Sequence, residues 1–301
     1  MVVQQIGMLF LLIGIGWIIQ RKKLLESEFS KGLSTFILYV SLPALIIKSM
    51  NYKFDPELMK NSMILLLSGI LFYPIAYGVS KLIAKILNTK EPQLGVFEFM
   101  MIFGNVGFMG YPVVKILFGD LGVFYAAMFN FSFNLYIWTL GIYLIRKGEG
   151  HKLSLKLLVN PGTVSLAIGF LLFLTSIQVP VVIAKVLESV GNTTTPLSMI
   201  VIGMLLGSGK DRNWIKSSRL WLASITRLLV IPIMSWGILY FMPFPQIVKT
   251  IIVILTGMPT AAMCAIFANK YESDYQLASR GVMMTTLLSM ITIPILIYIQ
   301  S

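Results

Sequence analysis

Charge is what this sequence has least of. Only 12% of its 301 residues are Asp, Glu, Lys or Arg, while 57% are hydrophobic; an ordinary soluble domain carries about 25% charge. A chain of this composition cannot cover a soluble surface. The few charges are also segregated, since residues 61–80, 121–145, 189–209, 228–248, 250–269 and 281–301 contain none. One cysteine, Cys264, excludes an internal disulfide and a cysteine zinc cluster, and one histidine, His151, excludes a His-rich metal site. HExxH, GxSxG and paired intramembrane aspartates are all missing, so nothing points to an enzyme. A soluble output domain is missing too, which argues against a transporter-like sensor. The net charge of +12 does not indicate nucleic acid in so apolar a chain; loop charge that sets membrane topology explains it better.

What is abundant is apolar length. A helix needs about 20 apolar residues to cross a hydrocarbon core of about 30 Å. Lipid offers no partner for backbone N–H and C=O groups, so such segments must be helical. The expected fold is an all-α membrane protein with ten transmembrane helices, at about 2–20, 31–50, 61–86, 94–115, 122–145, 154–176, 184–208, 217–241, 247–268 and 276–299. Gln178 and Pro180 mark a turn between spans 6 and 7. The first span does not read as a cleaved signal, because Arg21, Lys22 and Lys23 follow it and no small-residue cleavage pattern is present.

Alternate connectors differ sharply in basic residues, sixteen Lys and Arg on one side against six on the other. The positive-inside rule then makes the protein multi-pass in the cell (plasma) membrane, with both termini extracellular.

The two halves echo each other. Pro43 matches Pro196, Pro74 matches Pro232, Gly104-Asn105 matches Pro259-Thr260, and Lys115 and Asp120 match Lys270 and Asp274, all at offsets of about 155. Each half has five spans, an odd number, so the second half enters the membrane inverted. The expected organisation is an N-terminal five-helix repeat over 1–145, a short cytoplasmic connector at 146–153 and an inverted C-terminal repeat over 154–301. Inverted repeats of this kind bind substrate at the midplane where they meet.

Span 4 runs Gly104-Asn105-Val106-Gly107-Phe108-Met109-Gly110-Tyr111-Pro112, and span 9 runs Gly257-Met258-Pro259-Thr260-Ala261-Ala262. Each glycine weakens a helix by about 1 kcal/mol and an interior proline by about 3 kcal/mol relative to alanine. Two interrupted spans at equivalent positions point to a transport site. Half-helix N-termini there favour an anion, and freed carbonyls can hold a cation or water. The candidates at the breaks are Asn105, Gly104, Gly107, Pro259 and Thr260.

These stretches, with Asn160-Pro161 and Phe267-Ala268-Asn269-Lys270-Tyr271, resemble the auxin efflux carrier family, whose bacterial members include malate and malonate permeases. The resemblance runs the whole length. It implies a fold like the bile-acid sodium symporters, in which helices 4 and 9 cross inside a transport domain and spans 1, 2, 6 and 7 form a scaffold. It also implies carboxylate substrates and a homodimer. Asn105 matches the family's substrate-contacting crossover asparagine, and Pro259 its crossover proline. Gly104 stands where the plant carriers have proline, which implies a looser break. The plant carriers' long central loop shrinks here to about 146–153, so its phosphorylation control is not expected.

Other polar residues carry two readings each. Asn130 and Asn134 are four apart on one helix face and line a cavity near the crossover or make interhelical contacts. Asn192-Thr193-Thr194-Thr195-Pro196 and Ser41-Leu42-Pro43 either contact substrate or satisfy carbonyls freed by proline. Arg227, inside span 8, is either a carboxylate counter-ion or a side chain snorkelling to the interface; Arg280 fits snorkelling. Gly203 and Gly207 fit small-xxx-small packing. Glu98 is placed at the cytoplasmic start of span 4, so no acid lies at depth and no proton relay is visible. The combined expectation is a secondary transporter of small organic anions working by alternating access, or alternatively a passive uniporter or channel on the same fold. It would need no cofactor, and coupling to Na+ or H+ stays open.

Overall fold

The structure, a computed structural model, describes residues 2–86, 88–89, 93–146, 159–208 and 217–300. Most of the connector expected at 146–153, including His151, lies outside them. Among the described residues the chain is helical, with one isolated antiparallel bridge. The first half contains α1 (Val2–Arg21), α2 (Ser27–Phe36), α3 (Leu42–Ser49), α4 (Pro56–Ile86), α5 (Gln93–Ile102), α6 (Tyr111–Tyr136) and α7 (Ile142–Arg146). Then come α8 (Pro161–Thr175), α9 (Val181–Asn192), α10 (Thr194–Ser208) and α11 (Ser218–Ile225). The last are α12 (Ile231–Tyr240), α13 (Gln246–Thr256), α14 (Met263–Lys270) and α15 (Tyr275–Gln300).

Proline shapes several of these helices. It lacks the N–H that would bond four residues back, and its ring presses on that carbonyl. A wider π turn immediately before the proline absorbs both defects. Such turns lie at Ile37–Ser41 before Pro43, at Val106–Gly110 before Pro112 and at Thr226–Val230 before Pro232. A fourth, at Ile137–Gly141, joins α6 to α7 without a proline. Asn160 caps α8: its side chain accepts from the Thr163 N–H at 3.1 Å while the Thr163 hydroxyl accepts from the Asn160 N–H at 3.0 Å. That reciprocal pair, with Pro161 in the first turn, is a capping box.

The expected boundary between spans 4 and 5 is tighter than the sequence suggests. α6 runs through it, broken only at Gly119, whose φ of 61° lies in the left-handed region that glycine enters at no steric cost. Among the described residues, six segments are long and apolar enough to cross a membrane: Glu28–Ser49, Pro56–Ile86, Val106–Arg146, Val181–Ser208, Ser218–Tyr240 and Tyr275–Gln300. Shorter apolar helices occupy Ile6–Arg21, Gln93–Ile102, Pro161–Thr175 and Gln246–Thr256. Large apolar side chains such as Leu11, Val182, Phe241 and Tyr298 stand exposed, as lipid-facing positions require.

The chain forms two compact units. The first takes Met1–Leu66, Gly107–Phe131 and Lys156–Ser208, and the second Leu67–Val106, Ser132–Leu155 and Gly209–Ser301. Spans 1, 2, 6 and 7 therefore fall together in the first unit. Within it α1 lies along α10, and α3 packs on α8 and α9. Lys48 and Lys115 both pair with Asp120, at 3.1 and 3.4 Å, and Lys115 also reaches the Asn192 amide oxygen at 2.9 Å. Within the second unit α5 packs on α7, α11, α14 and α15, and α13 on α12 and α15.

The α1–α10 contact depends on Gly203. A Cβ there would overlap the Ile13 carbonyl and come within 2.9 Å of the Gly16 Cα, as the small-residue spacing suggests. Gly14, by contrast, has open space around its would-be Cβ. Gly203→Val is therefore expected to destabilise the detergent-solubilised protein by about 3 kcal/mol, and Gly14→Ala to change it by no more than about 1 kcal/mol. Thermal unfolding of the two variants measures the difference.

Candidate functional site

The two interrupted stretches meet inside the second unit. α5 ends at Ile102 and α13 at Thr256, and the residues beyond them pair as a minimal antiparallel ladder. Gly104 and Thr260 form the bridge. Asn105 donates its N–H to the Pro259 carbonyl at 2.6 Å, and Ala261 donates to Phe103 at 2.9 Å. Glycine and proline explain why the helices stop here, and the ladder explains where the chain goes instead.

Cutting a helix leaves four carbonyls without intrahelical partners, and each one buried unpaired in an apolar setting is worth several kcal/mol against folding. At the end of α5 each finds a donor. The Met100 carbonyl accepts from the Thr260 hydroxyl at 3.0 Å. Those of Met101 and Ile102 accept from Arg227 Nη1 at 3.4 and 3.2 Å. Phe103 is taken by the ladder, and Gly104 accepts from the Val106 N–H at 2.9 Å. On the other strand the Met258 carbonyl accepts from Arg227 Nε at 2.8 Å. The Thr260 N–H is anchored in turn on the Thr285 hydroxyl of α15 at 3.1 Å.

Arg227 thus belongs to both breaks at once. It sits in the π turn Thr226–Val230 and is 1% exposed, so it does not snorkel. A Cβ on Gly104 would overlap its Nη2 and come within 3.1 Å of the Met258 carbonyl. The space that glycine leaves in span 4 is filled by the guanidinium. Around α5, Phe103 stacks on Tyr73 with ring centroids 5.6 Å apart and meets Phe99 at 4.7 Å and Phe133 at 6.1 Å. This aromatic wall shields the crossing.

Of the sequence candidates, Gly104, Asn105, Pro259, Thr260 and Arg227 come together. Asn105 is 7% exposed, and Thr260 is fully buried with its hydroxyl and N–H both engaged. Gly107 and Asn130 fall in the first unit, where Asn130 is buried facing the Tyr111 hydroxyl. Asn134 lies in the second unit, half-buried, one residue after Phe133, whose ring packs on Phe103. In the polar interruption of span 7 the Thr193 hydroxyl donates to the Val190 carbonyl at 2.6 Å, within its own helical turn. Arg280 reaches Gln276 on the exposed side of α15 at 3.4 Å.

Two features were not visible in the sequence. Thr285, an ordinary threonine in an apolar stretch, carries no signal of its role beneath Thr260. Glu98, expected at the cytoplasmic start of span 4, is buried within α5, 6% exposed, because that helix is covered by its neighbours along its length. Thr260→Val keeps the side-chain shape but strands the Met100 carbonyl. It is expected to lower stability by about 1–3 kcal/mol, measured by thermal unfolding against wild type.

The sequence profile of a family described as membrane transport protein matches residues 1–154 and 150–297. The chain is similar to an uncharacterized transporter of Methanothermobacter thermautotrophicus, 28% identical over 290 residues, covering 94% of this chain and 93% of the relative. A second uncharacterized transporter, from Methanocaldococcus jannaschii, is 26% identical over 296 residues with 94% of each chain covered. A protein of Rhizobium meliloti named as a candidate malonate transporter is 22% identical over 307 residues, covering 96% of this chain and 93% of the relative. All are named as transporters, and the family is one of transport proteins, not enzymes. Matched over almost its entire length, the chain belongs to this family of membrane transport proteins, that of the auxin efflux carriers.

Proposed function

We propose that the protein is a secondary transporter of small organic anions, carboxylates such as malate or malonate, that works by alternating access. The observation that carries this reading is the crossing itself: two helices interrupted at repeat-equivalent positions and joined by the Gly104–Thr260 bridge. Irregular backbone at membrane depth occurs where it is buried in protein or lines a substrate path. The antiparallel sense of that bridge supports an arrangement of ten spans as two inverted five-helix repeats. In the plasma membrane the basic connectors would face the cytoplasm and both termini the outside.

Within this scheme Asn105 presents the carboxylate-binding amide at the crossing. The chain resumes helix at Val106 on one strand and at Met263 on the other. Helix N-termini stabilise negative charge, which suits a carboxylate and not a cationic substrate. The second unit, which holds the crossing, would be the moving part, and a homodimer the working assembly. The malonate-transport name of the Rhizobium meliloti relative supports the choice of dicarboxylates to test first.

Labelled malate and malonate offered to proteoliposomes test the assignment. Saturable uptake is expected, falling about tenfold or more in Asn105→Ala, the loss that follows from removing one hydrogen bond to a charged group. Uptake that the substitution leaves intact would move the substrate away from Asn105. Flux that follows only the substrate gradient, whatever ion gradient is imposed, would instead favour a passive uniporter.

A further inference from the structure

Arg227 carries a charge that proteins do not remove by deprotonation, in a place where it is 1% exposed. Among the described residues no carboxylate lies within ion-pair distance of it. A buried charge without compensation is strongly destabilising, so something else must balance this one. What faces it are three carbonyl oxygens: Met101 and Ile102 at the end of α5, and Met258 just beyond the end of α13. Each helix C-terminus carries about half a negative charge, so the two together offer about one.

The guanidinium therefore lies in a cradle with the ligands and charge of a monovalent cation site. Carbonyl ends of interrupted helices are the groups with which transporters hold sodium. The backbone is also cut to its shape, since any side chain at residue 104 would collide with Nη2. The π turn at Thr226–Val230 and the proline that follows it place the arginine on this face of its helix.

We propose that Arg227 is the resident cation of the crossing, a tethered substitute for a coupling ion, so that the crossing binds no sodium. The proposal rests on reading the crossing as the transport site. It makes the positive charge permanent: it stays in the crossing, balanced by the two helix C-termini, whether or not substrate is bound. Removing the side chain should leave a vacancy among the three carbonyls that a small planar cation can fill.

Thermal unfolding of the purified full-length protein tests this without substrate, in sodium, choline or guanidinium chloride at about 50 mM, far below denaturing concentration. Wild type is expected to unfold at the same temperature in all three salts. Arg227→Ala should unfold about 10 °C lower and regain at least half of that shift, saturably, in guanidinium but not in choline. Arg227→Lys keeps the charge but loses the planar fork; it should shift less and also gain from guanidinium, and it serves if the alanine variant does not fold. Sodium that stabilises wild type saturably over choline would overturn the proposal. So would a folded Arg227 variant that guanidinium leaves unchanged. Absence of malate and malonate uptake would overturn the substrate assignment and leave this result standing.

Discussion

The backbone of an interrupted helix has to be satisfied in a place where water cannot do it. Where α5 stops, the carbonyls of Met100, Met101, Ile102 and Phe103 all point past the last turn. The Thr260 hydroxyl, the Arg227 guanidinium and the Ala261 N–H take them up. Much of the second unit follows from that demand. Arg227 must reach two strands, so Gly104 must lack a side chain. Thr260 must be held in place, so its N–H is fixed by Thr285. An aromatic wall from Tyr73 to Phe133 keeps the bonds dry, which strengthens each of them in a low dielectric.

In the first unit α6 is broken at Gly119. Its Pro43 and Pro112 follow π turns, and hydroxyls bond backward along their own helix, as Thr193 does to Val190 and Ser198 to Thr194. Its helices approach closely because glycine permits it at the α1–α10 contact. Lys48 and Lys115 gather around the partly exposed Asp120. The first unit has long-range bonds of its own, such as Phe54 N–H to the Ser176 hydroxyl and Val179 N–H to the Asn51 amide oxygen, but only in the second do they converge on a crossing of interrupted helices.

Electrostatics joins the crossing to the proposed function. A buried guanidinium balanced by two helix C-termini leaves the opposite helix ends, which favour anions, as the unbalanced feature. A carboxylate fits that balance and a second cation does not. The family assignment supplies transport, and the charge arrangement supplies the reason for preferring an anion. The same charge explains why Glu98, the other buried charged side chain among the described residues, is not needed to neutralise Arg227.

Composition and spacing alone determined the class of molecule, because hydrocarbon admits only helices and the apolar runs are long enough to cross it. They also located the interruptions at 104–105 and 259–260, since glycine and proline act on their own local backbone wherever they are placed. The close glycine contact at Gly203 was legible for the same reason. Only the tertiary structure decided what Arg227 does. Its partners are residues 101, 102 and 258, up to 126 positions away, and no periodicity along the chain encodes a bond of that span. The burial of Glu98 and the anchoring role of Thr285 were likewise settled by which helices cover them, a property of packing between distant segments and not of the residues themselves.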